Sequence, residues 1–298
     1  MPDVGKIQEE KTEEVVSRLQ KFEQQLYDKL IVFMASISEG GVLTATPQQL
    51  AQLNNAIVNW TKELGYADIV DAYLKGLDDV DRENIRYYGN QTNKRTLQRI
   101  QNEAINSPLT AEYRRQVSDN LRATGAKAAI VDKIDEVLRL QAIRGMTFDQ
   151  AALELRALVT TTEGGSGIAE RHFKQVAVDA ISQYDGVIQE RLADRFQPKA
   201  GRYLASVIET TRPVCDHIKE RFGNGLITRE QLRGILNEYC PDGTPSQEKI
   251  TYDTVNGVQR TAKKGAGMIE GTTLENFAVN RGGYQCRHEW KWDFSTID

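Results

Sequence analysis

The sequence predicts an α+β protein: a helical region at residues 1–160, a linker at 161–167 and a C-terminal domain at 168–298. Three observations predict this class. In the first half, apolar residues recur every three or four positions, which is the spacing of amphipathic helices. A stretch rich in glycine and threonine then interrupts that spacing. Residues 202–210 read as a strand with Tyr203, Ala205 and Val207 on one face and Leu204 and Ile208 on the other, and a further extended segment is indicated near residues 284–294. We therefore expect a long helix and a small antiparallel sheet in the C-terminal domain.

Composition limits the class of protein. The chain carries a net charge of −4 and has a pI near 5.6, which argues against a broad surface for nucleic-acid phosphates. Three cysteines do not make a disulfide framework in a chain of this length, so we expect a reducing compartment. The first residues lack the regions of a signal peptide, and the longest apolar run, Leu30 to Ala35, is far below the roughly 20 residues that cross a bilayer. We expect a cytosolic protein without a membrane partner.

The helical region begins with a long amphipathic segment from about Glu9 to Ile37, which Gly40-Gly41 ends. Its expected buried stripe is Val16, Leu19, Phe22, Leu26, Leu30, Phe33 and Ile37. We expect this stripe to pack inside the protein, although a seam of this length could also mediate self-association. The residues Thr46-Pro47-Gln48-Gln49 then predict a helix start, with threonine as the cap and proline in the first turn. Further helices are expected at residues 92–106, 110–123, 127–143 and 148–159.

The linker is predicted from Thr160 to Gly167, because these small residues offer no packing face. One long helix is expected after it, from about Ile168 to Phe196. Its apolar side includes His172, which we expect to be a partly buried histidine with its hydrogen bonds satisfied.

The remaining elements are shorter. A strand is expected at 202–210, and Thr211-Arg212-Pro213 leads into a short helix that ends near Phe222. Residues 241–275 are expected to be loops. A final extended segment is expected from Tyr284 to about Phe294.

Two Cys-x-His patterns contain two of the three cysteines and two of the three histidines. They are Cys215-Asp216-His217 and Cys286-Arg287-His288. In an extended segment both side chains of such a pair point to the same face. Two pairs brought together would supply two thiolates and two imidazoles, the ligand set of a tetrahedral zinc site. We also expect the strands at 202–210 and 284–294 to be neighbours in one sheet.

Other interpretations of the Cys-x-His pairs remain open. A single intervening residue is short for paired zinc ligands, so a metal-free polar core is slightly preferred. A Cys215–Cys286 disulfide is a third option, and Cys240 is a spare candidate ligand. A Cys-His nucleophile–base pair would need an orienting group, for instance Asp216 or Glu209. No local sequence supports one, so we expect no catalytic residue and no cofactor apart from a possible structural zinc ion.

Two short motifs carry a family resemblance. An extended segment ends in Thr211-Arg212-Pro213-Val214-Cys215, and after a long insert the chain continues as Gly283-Tyr284-Gln285-Cys286-Arg287-His288. This order resembles the phage head morphogenesis (Mu F-like minor capsid) family over about residues 168–298. The family's closing element is often Cys-Arg-Cys, and His288 replaces the second cysteine here. The motif residues that we expect to be structural are Thr211, Arg212, Pro213, Gly283, Tyr284, Arg287 and Trp290.

The resemblance implies a virion component and not an enzyme. Members are minor head proteins of tailed bacteriophages, associated with the portal vertex or the inner capsid, that act in head morphogenesis or DNA delivery. The implied partners are the portal protein and/or the major capsid protein, with packaged DNA as a further candidate. The implied location is the virion head, and the host cytoplasm during assembly. Two other classes stay open: a zinc-stabilised module that binds nucleic acid or protein, and a cysteine-dependent enzyme or toxin.

Overall fold

The computed structural model describes residues 4–177, 179–204, 211–254, 257–281, 286 and 288–295. The α+β class is confirmed, because helices make up most of the chain and a small antiparallel sheet lies in its C-terminal part. No helix in the described part of the chain is long and apolar enough to cross a membrane.

The chain forms two compact units, each built from separated stretches of sequence. The mixed unit contains Met1–Glu9, Gly76–Arg114 and Asp179–Asp298, and the helical unit contains Glu10–Lys75 and Arg115–Val178. The predicted linker at residues 161–167 falls inside the helical unit. The two compact units therefore do not coincide with the two consecutive regions that the sequence predicted.

The first half of the chain is helical, as predicted. Its helices are α1 (Val4–Ser36), α2 (Pro47–Glu63), α3 (Tyr66–Gly89), α4 (Lys94–Ile100), α5 (Pro108–Leu121), α6 (Ala123–Ala126), α7 (Asp132–Ile143) and α8 (Phe148–Val159). Two π-helical turns, at Gln101–Ile105 and Lys127–Val131, follow α4 and α6. A short hairpin, β1 (Ser38–Glu39) and β2 (Val42–Leu43), follows α1.

The buried stripe of α1 differs from the prediction at two positions. Val15 and Met34 are fully buried, whereas Val16 and Phe33 are partly exposed. A straight helix repeats every 3.6 residues, and the predicted positions drift off that repeat towards both ends of the stripe. The predicted start of α2 is confirmed: the Gln49 amide donates to the Thr46 hydroxyl at 3.2 Å, and the Thr46 amide donates to the Gln49 side chain at 2.8 Å.

The predicted linker has a packed inner side, so the expectation that it offers no packing face is wrong. The Gly167 amide donates to the Thr161 hydroxyl at 3.0 Å, and Thr161 also hydrogen bonds to Glu23 at 3.0 Å and to Glu170 at 2.7 Å. A Cβ at Gly167 would lie 2.1 Å from a Glu23 carboxylate oxygen. The glycine therefore lets the chain pass directly over a buried carboxylate.

The predicted long helix at 168–196 is two helices, α9 (Ile168–Ala177) and α10 (Ala180–Phe196). The second helix begins after Asp179, whose φ of −117° and ψ of −4° depart from the values of a regular α-helix. His172 lies on α9 and its Nε2 is 3.0 Å from the Asn120 carbonyl. The expected satisfied histidine is therefore confirmed.

The C-terminal elements continue with β3 (Ala200–Leu204), α11 (Pro213–Phe222), β4 (Leu226–Thr228), α12 (Arg229–Tyr239), β5 (Lys249–Asp253), β6 (Gln259–Lys263), α13 (Phe277–Asn280) and β7 (Glu289–Trp292). Strands β5 and β6 form an antiparallel hairpin where the sequence predicted loops. Their side chains are mostly exposed or half-buried, so the apolar alternation that identifies a strand is weak.

Strand β3 lies at the centre of a three-stranded antiparallel sheet in the order β4-β3-β7. The predicted pairing of the two strand segments is confirmed for the described residues, with Tyr203 opposite Trp290 and Gly201 opposite Trp292. Residues 205–210 lie outside the described residues. A Cβ at Gly201 would lie 2.4 Å from the Trp290 ring, so this glycine makes room for the fully buried indole.

Candidate functional site

Four side chains of the mixed unit meet beside the sheet and form what we call the thiol cluster: Tyr203, Cys215, Cys286 and His288. The Cys215 and Cys286 sulphur atoms are 3.9 Å apart, although the residues are 71 positions apart in the chain. His288 Nδ1 lies 3.6 Å from the Cys286 sulphur. The ligand atoms of both cysteines and His288 all lie within 4.8 Å of one another. The cluster therefore contains Cys215 from the first Cys-x-His pair, and both Cys286 and His288 from the second pair.

The Thr211-Arg212-Pro213 motif starts helix α11, which places Cys215 in the thiol cluster. Arg212 is extended, with φ −83° and ψ 156°, as expected for a residue before proline. Pro213 opens α11 at its first position, where the missing N–H costs nothing. Thr211 is buried, and a Cβ at Gly267 would lie 2.1 Å from Arg212 Nε. These contacts fix the first turn of α11, which carries Cys215.

The pairing of β3 with β7 brings His288 next to Tyr203 in the thiol cluster. His288 immediately precedes β7, and its ring stacks on the Tyr203 ring at 4.8 Å with an angle of 4°. Trp290 packs edge-to-face against Phe277 at 5.6 Å and Trp292 at 5.1 Å. Trp290 is therefore a packing residue, as the sequence indicated. The motif residues Gly283, Tyr284 and Arg287 lie outside the described residues.

His217 is not part of the cluster, which corrects the four-ligand expectation. Cys215 and His217 lie on helix α11, not on a strand. Because each helical residue turns by about 100°, side chains two positions apart point in nearly opposite directions. The His217 ring instead lies 5.2 Å from the Tyr239 ring. The spare candidate Cys240 is buried at the end of α12 and also lies outside the metal-competent group.

The pKa values of the two thiols are shifted in opposite directions. The hydrogen bond from Cys215 lowers the pKa of Cys286 well below that of an ordinary thiol; burial opposes this shift and His288 adds to it. The same pairing, together with burial, raises the pKa of Cys215. The Tyr203 hydroxyl lies 3.3 Å from the Cys215 sulphur and 3.5 Å from the Cys286 sulphur, and burial raises its pKa. The arrangement favours a thiolate at Cys286 beside a thiol and a neutral phenol.

The spacing of the donors suits a zinc ion. With Zn–S near 2.3 Å and Zn–N near 2.0 Å, a tetrahedral site places two sulphurs about 3.8 Å apart and a sulphur and a nitrogen about 3.6 Å apart. The observed separations are 3.9 Å and 3.6 Å. The Cys215–His288 separation, which is at most 4.8 Å, must shorten by up to about 1.2 Å to match. A water molecule would be the fourth ligand. A protein partner at His288 Nε2, usual for a zinc-bound histidine, is lacking among the described residues.

Sequence reasoning missed Tyr203 as a member of the cluster, and it missed a buried charge network next to it. Asp185 of α10 accepts from Arg281 at 2.9 Å and also pairs with Lys291. Asn84 donates to Asp185 at 2.9 Å and accepts from Lys291 at 3.0 Å. All of these side chains are at least 98% buried. The alternation Trp290-Lys291-Trp292 was the available signal, but it cannot distinguish a solvent-facing lysine from a buried, paired one.

Glu289 connects this network to the first turn of α1. Its Oε1 accepts the Val4 and Gly5 amides at 2.5 and 3.3 Å, and Oε2 lies 3.9 Å from Lys291. Burial raises the pKa of Glu289 to about 7, with Lys291 opposing that rise and Asp185 adding to it. The carboxyl group thus supports a helix N-terminus whose amides lack intrahelical partners.

Comparison with known proteins found no relative. No family model, no curated protein and no solved structure matches the chain.

Proposed function

We propose that this chain is a minor head protein of a tailed bacteriophage and belongs to the Mu F-like group. In this proposal it associates with the portal vertex or the inner capsid and acts in head morphogenesis or DNA delivery. Its partners are the portal protein and/or the major capsid protein, and its role is structural rather than catalytic. It would reside in the virion head, and in the host cytoplasm during assembly.

The observation that carries the proposal is the meeting of the two motifs on which the resemblance rests. If both motifs belong to one family domain, their cysteines should lie together in the fold. Their sulphur atoms are 3.9 Å apart across a sequence separation of 71 residues. Two unrelated chance matches carry no such expectation. The geometry therefore supports treating the motifs as parts of one site.

The surroundings of the thiol cluster favour a structural role over thiol catalysis. Cys215 is 2% exposed and His288 is 4% exposed, which leaves a substrate little access. A nucleophile–base pair also needs a third group that orients the base, and His288 Nε2 has no partner among the described residues. A thiol-dependent enzyme remains the second candidate, because Cys286 is half-buried and carries a lowered pKa.

The proposal is tested by assembling heads. The full chain is co-expressed with the portal, scaffolding and major capsid proteins of the genome that encodes it, and heads are purified on a density gradient. We expect the chain to co-purify with heads in far fewer copies than the major capsid protein, as measured by mass spectrometry. Heads assembled without portal separate the two partners: loss of the chain indicates the portal, and retention indicates the capsid. Absence of the chain from complete heads contradicts the proposal.

Two tryptophan variants provide matched controls. Trp290→Ala removes a fully buried indole and should destabilise the mixed unit by about 3–5 kcal/mol. We expect this variant to be missing from heads. Trp60→Ala truncates a half-buried indole on α2 of the helical unit and should be incorporated. Equal incorporation of both would show that the C-terminal region, which carries the resemblance, is not what anchors the chain.

A further inference from the structure

The helical unit contains a cavity of about 260 Å³. It is lined by residues of α2, the start of α3 and the π-helical turn Lys127–Val131. Its apolar wall includes Val58, Ala67, Ile130 and Val131. This volume lies just below the roughly 300–1,000 Å³ of pockets for drug-sized ligands. The cavity therefore suits a smaller, mainly apolar molecule.

One wall of the cavity carries an unsatisfied polar group. Tyr66 lines the cavity and is 5% exposed, and its hydroxyl has no hydrogen-bond partner among the described residues. Buried hydroxyls are almost always hydrogen bonded, because leaving one unpaired is unfavourable. The hydroxyl oxygen is itself almost completely buried, so a ligand in the cavity would not reach it without a shift of Tyr66.

The charged lining of the cavity is entirely basic: Lys62, Arg122 and Lys127. Arg122 pairs with Asp71, but its Nε has no acceptor among the described residues. No acidic residue lines the cavity. Lys62 and Lys127 are exposed, and neither is part of an ion pair in the part of the chain that the structure describes. An anion at this opening would therefore meet uncompensated positive charge.

The local backbone gives the cavity an unusual wall. Lys127, Ile130 and Val131 all belong to the π-helical turn, and such turns are rare and frequently occur at functional sites. The turn thus contributes one basic and two apolar residues to the same cavity. This combination matches a ligand that has an apolar body and an acidic head.

We infer that this cavity binds a small amphiphilic anion, namely an alkyl carboxylate of medium chain length. The alkyl chain occupies the apolar wall, and the carboxylate lies near Lys62 and Lys127. This inference does not depend on the proposed function, since none of these residues belongs to the thiol cluster.

Calorimetric titration of the full chain with hexanoate, octanoate and decanoate tests the inference. We expect affinity to rise about fourfold per added methylene until the cavity is filled. Octylammonium, with the same chain and the opposite charge, should bind at least about tenfold more weakly. Equal binding of octanoate and octylammonium would overturn the inference. No binding by any carboxylate would also overturn it and would favour a side chain of a partner protein as the occupant.

Variants then locate the site. Reversing the opening charges with Lys62→Glu plus Lys127→Glu should weaken octanoate binding by about tenfold or more, whereas Lys21→Glu, an exposed reversal on α1, should not change it. If the double variant binds octanoate as the unaltered chain does, the ligand binds elsewhere and the inference is wrong.

Discussion

Two buried carboxylates, one in each unit, are held in opposite ways. Asp185 in the mixed unit contacts two cations, Arg281 and Lys291. Glu23 in the helical unit is equally buried but has no cation partner among the described residues. It accepts the Glu170 amide at 2.8 Å and a hydrogen bond from Thr161 at 3.0 Å. Both carboxylates accept hydrogen bonds, but only Asp185 has cationic partners that neutralise its charge.

The difference appears in the protonation of the two groups. Burial alone would raise the pKa of Asp185, but Lys291 and Arg281 hold that pKa below its usual value. Burial also raises the pKa of Glu23, and there the donors from Glu170 and Thr161 do not overcome it. The comparison shows that hydrogen-bond donors alone do not keep a buried carboxylate as readily ionised as paired cations do. Asp185 therefore acts as an ionised anchor, whereas Glu23 holds its proton to a higher pH than an ordinary glutamate does.

The largest expected effect comes from removing the ionised anchor. Asp185→Asn keeps the shape of the side chain but leaves Arg281 and Lys291 without their shared carboxylate. Breaking a buried ion pair from one side costs about 3–5 kcal/mol, and we expect a loss of that size in the free energy of unfolding measured in urea. Asp194→Asn, an exposed change on the same helix, should cost less than about 1 kcal/mol. Equal effects of the two changes would mean that the network contributes no specific stability.

The thiol cluster raises the same question of charge for a third group, the half-buried Cys286. A thiolate at Cys286 has the His288 ring nitrogen 3.6 Å away, and a zinc ion at the cluster would supply a full counter-charge. If zinc binds, adding it at about 100 times its dissociation constant should raise the free energy of unfolding by about 2.7 kcal/mol. Thermal unfolding with and without zinc, together with metal analysis after dialysis, measures this effect.

Two cysteine variants make the zinc prediction specific. Cys215→Ser should abolish the stabilisation by zinc, whereas Cys240→Ser should retain it, because Cys240 lies outside the metal-competent group. Zinc should also protect Cys286 from alkylation. If zinc neither stabilises nor protects the chain, the metal-free polar core that the sequence slightly favoured is the correct alternative.

Local patterns predicted most of the fold. Apolar spacing identified the helices of the first half, and the Thr46 capping box marked the start of α2. The strand-forming residues around Tyr203 and Trp290 identified two strands that do pair. Each of these signals lies within a few neighbouring residues, so it can be recognised without knowing which distant segments meet.

The sequence did not predict features that depend on distant contacts. The two members of the Cys215–His217 pair diverge because the segment is helical. Tyr203 joins the cluster only because β3 lies next to β7. Likewise, nothing local to Lys291 shows that Asp185, more than a hundred residues earlier, neutralises it. The sequence identified Cys215, Cys286 and His288 as candidate ligands, but it did not identify the distant residues that contact them.

The smallest expected effect concerns Glu23 and appears as a dependence on pH. Because the folded pKa of Glu23 is raised above 4.5, its contribution to stability is fully present below pH 4.5. That contribution is lost as pH rises through the folded value, at about 1.4 kcal/mol per pKa unit of difference. Glu23→Gln removes this loss, so the free energy of unfolding in urea should fall less steeply between pH 4.5 and 8.

The other carboxylates do not obscure this result. Asp185 has a lowered pKa, so its contribution is lost only as pH falls below about 3.8, outside the measured range. Glu289, with its pKa raised to about 7, titrates equally in both proteins and cancels in the difference. Glu13→Gln, an exposed change on α1, should leave the slope unchanged. If Glu23→Gln and the unaltered chain give parallel curves, folding does not raise the pKa of Glu23, and the contrast with Asp185 fails at that point.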